Sequence, residues 1–250
     1  PISELPAISL GSTPKDNGGL IINTSQFNDL VSRQSEVLNY TKKFIGAEEL
    51  INGSTRYCLW ITDEDYNKAK SIPEIARRLE ISREMRLASK KVPTQKLAEY
   101  PYRFGEIRYK ETSSIIIPSV SSERRKYIPS AFLDTSYVIS NSAFAIYNAE
   151  PWIFATISSL MHMVWVKSVG GRLESRIRYS SQLCYNTFPF PHISEKQKEL
   201  LSECVFNILD IREQHSEKTL AQMYDPDKMP EELKEAHHQL DLAIEKCYRN

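Results

Sequence analysis

The first 190 residues show the short apolar runs that are typical of β-strands, separated by turn-rich stretches such as residues 11–19. Runs rich in β-branched and aromatic residues predict strands at residues 56–61, 102–109, 115–120, 127–128, 136–147 and 183–188. Pro118 interrupts the third run. Because proline cannot donate to a strand ladder, we expect this run at a sheet edge or in a bulge. The pattern as a whole predicts a mixed or antiparallel sheet.

Helical spacing of apolar residues interrupts these runs in two places. Residues 71–99 carry polar and apolar side chains at helical spacing until Pro93 breaks the run. Pro151 stands where a first helical residue would, and it opens an apolar segment over residues 151–167. A pair of glycines follows and is expected to end this segment. The segment therefore predicts a buried helix.

Beyond residue 190 the apolar positions follow the period of helices. Ser194 and Gln197 have the spacing of a capping box at the start of a first helix. A second helix is predicted to begin near Pro230, with one apolar stripe formed by Leu233, His237, Leu240, Ile244 and Cys247. The sequence thus predicts an α+β fold: a sheet domain with inserted helices over residues 1–190, then a small helical unit over residues 191–250.

The composition is that of an ordinary folded chain, with 41% hydrophobic and 26% charged residues. At this length a sizeable core needs neither disulfides nor metals to hold it together. The four cysteines lie far apart and form no C-x-x-C pair, at Cys58, Cys184, Cys204 and Cys247. We interpret them as reduced, mostly buried thiols, which fits a cytoplasmic location.

The sequence indicates neither secretion nor a membrane. The chain starts at Pro1, with no methionine and no charged and apolar signal segment, so we expect it to begin inside a longer polypeptide. The longest apolar stretch, residues 152–166, includes Ser158, Ser159 and His162 and is too short to cross a bilayer. We therefore expect a cytoplasmic protein with no membrane partner.

A net charge of zero hides an uneven distribution of charge along the chain. Residues 77–126 contain 13 Lys and Arg against 6 Asp and Glu, and residues 167–178 contain four basic residues and one acid. From residue 191 to the end, 8 basic residues stand against 13 acidic ones. This distribution indicates a polyanion-binding face backed by an acidic helical unit, although an ordinary solvated surface would give the same counts.

The motifs expected of an enzyme of this size are missing from the sequence. It contains no glycine-rich phosphate loop, no G-x-G-x-x-G and no Asn-Pro-Pro-(Phe/Tyr) run. The pair His237 and His238 with Asp241 has a spacing that metal ligands use, but His237 also falls on the apolar stripe, which favours a packed core histidine. His162 lies between two methionines in the predicted buried helix, and the same interpretation applies. We expect neither a catalytic nor a metal site here.

The segment GGRLESRIRYS, residues 170–180, carries the most informative pattern. If it is extended, the spacing of two places four long polar side chains on one face, namely Arg172, Glu174, Arg176 and Arg178. Arginine reads guanine through O6 and N7, and glutamate accepts from the amino group of cytosine. The segment is therefore equipped to read base edges, although an exposed strand with cross-strand ion pairs would show the same charges.

Four ordered blocks of this sequence resemble MmeI-like type IIL restriction–modification enzymes, and together they span nearly the whole chain. The most specific is MHMVWVKSVGGRLESRIRYSSQLCYNTFPFP, residues 161–191. The others are FIGAEELINGSTRYCLW at residues 44–60, IIIPSVSSERRKYIP at residues 115–129, and TLAQMYDPDKMPEELKEAHHQLDLAIEKCY at residues 219–248. Two departures are mild, since Phe190 replaces the usual tryptophan and His238 extends the usual single histidine.

The resemblance implies that this chain is the target-recognition domain and C-terminal helical unit of such an enzyme. It implies that Glu174 and Arg176 read the base pair just 3′ of the methylated adenine, and that Arg178 is another base reader. Asn141 and Ser142 match a further reader less securely, and the turn at residues 121–125 holds another reader or a phosphate contact. The predicted DNA contacts are thus Glu174, Arg176, Arg178, Arg172, Tyr179, Asn141, Ser142, Ser121, Arg124 and Arg125.

The resemblance also implies what lies outside this chain. The parent polypeptide is expected to be an adenine-N6 DNA methyltransferase and an endonuclease, with S-adenosylmethionine as methyl donor and Mg²⁺ for cleavage. This chain is expected to bind double-stranded DNA and to contact the methyltransferase and nuclease domains, without a cofactor or a catalytic residue of its own. The alternative is a protein–protein docking module of the same polypeptide.

Overall fold

The computed structural model describes residue 2 and residues 5–249. Its strands are β1 (Ile8–Leu10), β2 (Ile21–Asn23), β3 (Thr41–Ile45), β4 (Arg56–Leu59), β5 (Ser114–Pro118), β6 (Val120–Ser121), β7 (Ala131–Leu133), β8 (Tyr137–Ile139), β9 (Ala143–Tyr147), β10 (Gly171–Leu173) and β11 (Arg176–Arg178). Its α-helices are α1 (Thr24–Arg33), α2 (Ala47–Asn52), α3 (Tyr66–Lys70), α4 (Pro73–Leu87), α5 (Val92–Lys96), α6 (Pro151–Ile157), α7 (Leu160–Val169), α8 (Glu195–Gln214), α9 (Leu220–Met223) and α10 (Glu231–Tyr248). This mixture confirms the predicted α+β class.

A first four-stranded sheet has the order β2-β4-β3-β8, with β3 and β8 parallel and the other pairs antiparallel. Its buried side chains include Ile22 and Phe44, which form one core cluster with Ile75 and Leu79 of α4. The spacing of four between these last two residues puts them on the same face of the helix, as the sequence predicted. This core fixes β8, which leads directly into the candidate site.

A second four-stranded sheet, in the order β1-β9-β5-β7, is antiparallel throughout. Every residue of β5 and β9 is buried, which accounts for their unbroken apolar runs. Strand β5 lies between β9 and β7, so the predicted edge position is wrong for β5, whereas β6 at the end of the same run is an edge strand of a third sheet, in the order β10-β11-β6. Pro118 is tolerated because it is the last residue of β5 and pairs with Ala143 of β9 beyond the end of β7.

The apolar segment after Pro151 forms two helices rather than the single helix predicted. The chain bends by 55° between α6 and α7, where the Ser159 side chain caps α7 by accepting from the backbone N–H of His162. Helix α7 ends at Val169, directly before the glycine pair, as predicted. Among the described residues no single helix is long and apolar enough to cross a membrane, and only α6 and α7 taken together have that length and composition.

The described residues that follow Ser194 contain helices and turns but no strand. The predicted capping box is confirmed, since Ser194 accepts from the N–H of Gln197 and the Gln197 side chain accepts from the N–H of Ser194. Helix α10 begins directly after Pro230, as predicted. One continuous core cluster extends from the second sheet through α6 and α7 to α8 and α10. This core crosses the predicted boundary between residues 1–190 and residues 191–250. The division into two domains remains a prediction.

Three of the predicted strands are wrong. Residues 102–109 form turns and an extended stretch whose single ladder contact joins Glu106 to Thr13. Residues 127–128 are buried in an irregular segment, and residues 183–188 contain part of a π-helical turn, Ser181–Tyr185. In each case the β-favouring side chains contribute to packing without a partner strand. Composition alone cannot distinguish a β-favouring segment that pairs with another strand from one that only packs in the core.

The predicted strand over residues 136–147 is two strands that belong to different sheets. Strand β8 pairs with β3 in the first sheet, and β9 pairs with β1 and β5 in the second. A short turn over residues 140–142 joins β8 to β9. This turn lies at the junction of the two sheets, and it carries two of the predicted DNA contacts.

Candidate nucleic-acid interface

Residues 171–178 form an antiparallel β-hairpin, called here the 171–178 hairpin. Its register pairs Gly171 with Arg178, Arg172 with Ile177 and Leu173 with Arg176. Glu174 and Ser175 form the two-residue loop, and Glu174 has a φ of 57°, which is uncommon for a residue other than glycine. The single extended face predicted for this segment is therefore wrong. The chain reverses at this loop, and Arg172 lies on the face opposite Arg176 and Arg178.

Strand β11 alternates between exposed and buried side chains, as a half-buried strand does. Arg176 and Arg178 are exposed, whereas Ile177 is 2% exposed. Tyr179 follows and is 4% exposed, and its hydroxyl lies 3.0 Å from Nε2 of His162 in α7. Its side chain anchors the end of β11 to α7. The role of Tyr179 as a DNA contact remains a prediction.

The loop of the hairpin carries two opposite charges side by side. Arg176 Nη2 donates to Glu174 Oε2 at 2.9 Å, and the two side chains are 49% and 79% exposed. An exposed pair of this kind contributes little to stability, because water screens the attraction and holding two long side chains costs entropy. The pair instead presents a carboxylate acceptor and a guanidinium donor together to the solvent.

Strand β11 also borders an open cleft of about 440 Å³. The predicted site residues Arg178 and Asn141 both line this cleft, and so does Ser119, which the sequence analysis missed. The other lining residues are Leu10, Phe144, Gly171, Tyr179, Ser180, Ser181 and Leu183. Because Gly171 is the cross-strand partner of Arg178 and has no side chain, it leaves room beside the guanidinium. The fold thus brings together two predicted readers that are distant in sequence.

The turn between β8 and β9 places Asn141 at the cleft, and Gly46 and Ala47 pack against this turn. Ser142 Oγ accepts from the backbone N–H of Ala47 at 3.1 Å and lies 2.8 Å from Ser140 Oγ. Gly46 approaches so closely that a Cβ there would lie 2.2 Å from Ser142 Oγ. Asn141 itself is exposed. The side-chain hydroxyl of Ser142 is therefore engaged in supporting the turn, whereas Asn141 faces the solvent.

Three further predicted DNA contacts lie at the end of β6 and in the loop after it, and all have protein partners. Ser121 is 7% exposed and accepts at Oγ from Arg125 Nη1 at 3.2 Å. The Arg125 guanidinium is partly buried, and this burial lowers its pKa. Arg124 is exposed, but its Nη2 donates to Asp227, in the turn before α10, at 2.5 Å. These partnerships are a feature that the sequence did not reveal.

Part of the positive charge counted over residues 77–126 is buried and structural. Arg86 is fully buried and donates to backbone carbonyls of Pro14, Lys15, Leu97, Tyr100 and Arg103. Arg78 is 4% exposed and donates to the carbonyls of Gly18 and Ile21. The charge count therefore overstates the free positive charge of this region. The exposed basic residues of the region include Lys90, Lys91 and Lys96.

The buried histidines are packing residues, as predicted. His237 is fully buried, stacks on Tyr127 with ring centroids 4.1 Å apart, and bonds Tyr224 Oη through Nε2 at 2.9 Å. Burial lowers the pKa of both His162 and His237 to about 3, which keeps them neutral near pH 7. Within residue 2 and residues 5–249, no three His, Cys, Asp or Glu side chains converge as metal ligands would. The four cysteines are free thiols.

Two family models give the class of this protein, a target-recognition domain joined to a C-terminal domain. A family model described as the MmeI target recognition domain matches residues 1–192, and one described as the MmeI C-terminal domain matches residues 193–250. The chain belongs to the MmeI family. The resemblance carried by the four sequence blocks is thereby confirmed.

Two relatives extend this comparison to whole proteins. The chain is 44% identical over 249 residues to DNA methyltransferase A of Bacillus subtilis (strain 168), an alignment that covers 100% of the chain and 28% of the relative. It is also similar to the solved structure of the type IIL restriction-modification enzyme MmeI in complex with DNA, with a TM-score of 0.94 and 39% identity. That match covers 100% of this chain and 33% of the solved one. The chain thus spans about a third of each relative.

Proposed function

We propose that this chain recognises a specific sequence in double-stranded DNA, as part of a type IIL restriction–modification polypeptide. One observation carries the proposal: the 171–178 hairpin exposes Glu174, Arg176 and Arg178 as hydrogen-bonding groups beside a cleft that Asn141 also lines. Membership of the MmeI family and the likeness to a DNA-bound member support it. A hairpin of two strands has the width to enter the major groove.

The ion pair at the hairpin loop has the chemistry to read a C·G base pair. A carboxylate such as that of Glu174 accepts from the cytosine amino group, and a guanidinium such as that of Arg176 donates to O6 and N7 of guanine. The 2.9 Å contact keeps the two groups adjacent, as reading the two bases of one pair requires. We assign this pair to the base pair just 3′ of the target adenine.

The cleft provides a second place for base contacts. Arg178 offers donors suited to guanine, and the amide of Asn141 offers the donor and acceptor that match N7 and the amino group of adenine. Ser119 lines the same cleft, and because its hydroxyl donates to the backbone carbonyl of Ser142, it offers an acceptor there. We propose that these groups read further base pairs of the recognition sequence.

Arg172 has a different proposed role because it lies on the other face of the hairpin. It is exposed, and its Nη2 lies 3.4 Å from the carbonyl oxygen of Lys167 at the end of α7. Lys167 is exposed as well, so this region carries two positive side chains. Such groups suit phosphate contacts, which set the position of a protein on the duplex without reading sequence.

We propose that the whole polypeptide is an adenine-N6 DNA methyltransferase and endonuclease of the cytoplasm. The similarity to DNA methyltransferase A of Bacillus subtilis supports the methyltransferase part of this proposal. Within the described residues no cluster of His, Cys, Asp and Glu fits a metal ion. From the resemblance to the MmeI family we propose that the Mg²⁺ for cleavage and the S-adenosylmethionine bind parts of the polypeptide outside this chain, which this chain would contact.

Binding of duplex DNA to the full polypeptide at increasing salt tests the proposal. Phosphate neutralisation releases counterions, so the logarithm of affinity should fall linearly with that of the salt concentration. Arg172→Ala should weaken binding equally on all sequences and reduce this slope by about one unit. Arg249→Ala, which removes an exposed arginine from the acidic unit, should change neither quantity. DNA binding that is absent or independent of salt would contradict the proposal and favour a protein-docking module.

A further inference from the structure

A buried carboxylate in the C-terminal unit bonds two segments that lie far apart in the sequence. Asp241 of α10 is 8% exposed, and its two oxygens have different partners. Oδ2 accepts from the hydroxyl of Tyr127 at 2.8 Å, in the loop after β6. Oδ1 accepts from the backbone N–H of Leu160 at 2.7 Å, at the first residue of α7. One side chain thus connects three elements.

Both of these segments are connected to the 171–178 hairpin, the first by strand pairing and the second along the chain. Strand β6, which precedes the loop of Tyr127, pairs with β11 through Ser121 and Ile177. Helix α7 begins at Leu160, is about 15 Å long from its ten residues, and passes into β10 at the glycine pair. A helix of this length transmits a displacement of its first turn to its last. The Asp241 carboxylate therefore holds the loop after β6, the strand that pairs with β11, and the start of α7, the helix that leads into β10.

Other contacts of the C-terminal unit hold the same loop. His237, one helical turn before Asp241, stacks on the Tyr127 ring at 4.1 Å and bonds Tyr224. Arg212 of α8 donates through Nη1 to the carbonyl of Ser130 at 2.9 Å. These buried or partly buried contacts restrict the loop on two sides. The exposed Arg124–Asp227 pair adds little, because water screens it.

We propose that Asp241 is a positioning residue for base recognition, which assigns the C-terminal unit a part in sequence specificity. This inference rests on the proposed function of the chain. Asp241 touches no base itself; through Tyr127 and Leu160 it sets where the hairpin carries Arg176 and Arg178. Base reading is sensitive to such placement, since a bidentate contact needs both of its hydrogen bonds in line.

The experiment uses variants of the full polypeptide. For each variant, the affinity for the recognition duplex is divided by the affinity for a duplex altered at a single base pair, and this ratio is compared. Asp241→Leu removes both acceptors at similar volume and should lower this ratio about tenfold, within the usual cost of one mismatched pair. Asp241→Asn retains an acceptor for Leu160 and a donor for Tyr127, and should keep the ratio within about twofold of the original. Affinity for unrelated DNA should be unchanged in both.

Two further variants separate positioning from a general loss of stability. Tyr127→Phe removes a single hydroxyl and should lower the ratio even if Asp241→Leu fails to fold. Leu240→Ala truncates a fully buried neighbour on α10 that makes neither hydrogen bond, and should lower the unfolding midpoint without changing the ratio. An affinity ratio that Tyr127→Phe leaves unchanged would overturn the inference about Asp241 but not the proposed function. So would a ratio that Leu240→Ala lowers as much as Tyr127→Phe does. An unaltered polypeptide with no sequence preference would overturn the proposed function as well.

Discussion

At the scale of single residues, the groups exposed at the interface depend on close packing behind them. Asn141 is presented by a turn whose hydroxyls at Ser140 and Ser142 bond to each other and to the backbone of Ala47. Gly46 fits against this turn only because it has no side chain. Gly46, which lies against the turn and does not line the cleft, therefore helps to determine the position of Asn141.

Gly46→Ala should destabilise the fold and displace the turn. The added Cβ would lie 2.2 Å from Ser142 Oγ and 2.3 Å from Ser140 Oγ, far inside contact distance. Overpacking of this kind costs roughly 1–3 kcal/mol. We expect the free energy of unfolding, measured by urea denaturation, to fall by that amount.

Gly171→Ala is the matched control for this substitution. There the nearest atom to an added Cβ is Arg178 Cβ at 3.9 Å, which is ordinary contact. Replacing Ser140 and Ser142 by alanine in the Gly46→Ala background should restore part of the lost stability, because it removes both clashing oxygens. Equal stability of the two alanine variants would show that the turn is not packed as described.

At the scale of elements, the sequence predicts best what local interactions decide. The Ser194 cap, the start of α10 after Pro230 and the end of α7 depend on neighbouring residues, and each is where the pattern puts it. The strand predictions fail where the partner strand is decisive, as over residues 102–109. The hairpin was hidden because Glu174 and Ser175 contain none of the glycine or asparagine signals typical of a two-residue turn.

The same holds for the candidate site, where the sequence predicts local features and misses long-range contacts. The alternation in RIRY exposes Arg176 and Arg178 and buries Ile177 and Tyr179, which period two alone requires. The meeting of Arg178 with Asn141 and Ser119 depends on the packing of three sheets, and no local pattern shows it.

At the scale of the whole molecule, one core crosses from the second sheet into the C-terminal helices, and two neutral histidines lie within it. Burial holds the pKa of His162 and His237 at about 3, whereas in an unfolded chain it is about 6.5. Between these values the unfolded state binds more protons than the native state. The free energy of unfolding therefore falls as the pH falls from 6.5 toward 3.

We expect stability to drop between pH 8 and pH 5 by about 2 kcal/mol for each of the two histidines. His237→Gln should remove the contribution of one of them, so urea denaturation of this variant at both pH values should show a smaller difference. The Asp241 carboxyl, whose pKa burial raises, acts in the opposite direction and is present in both proteins. The adjacent His238 is exposed, and His238→Gln should keep the full difference. Equal pH dependence of the two variants would contradict this account.

Under the proposed function, Glu174 and Arg176 together read one C·G pair next to the target adenine. Reversing the pair to G·C would set the carboxylate against guanine acceptors, and a wrong pair of this kind costs roughly 1–3 kcal/mol. Exchanging the charges by Glu174→Lys with Arg176→Asp should therefore exchange the preferred base. An exposed ion pair without a role in recognition would give only a small change in stability.

The most direct measurement is to sequence the sites methylated by the double variant of the full polypeptide. We predict that the preference changes from C to G at the position 3′ of the methylated adenine and at no other position. The unaltered polypeptide and the Arg249→Ala variant serve as controls and should methylate the original motif. An unchanged motif in a double variant that still methylates DNA would contradict the claim.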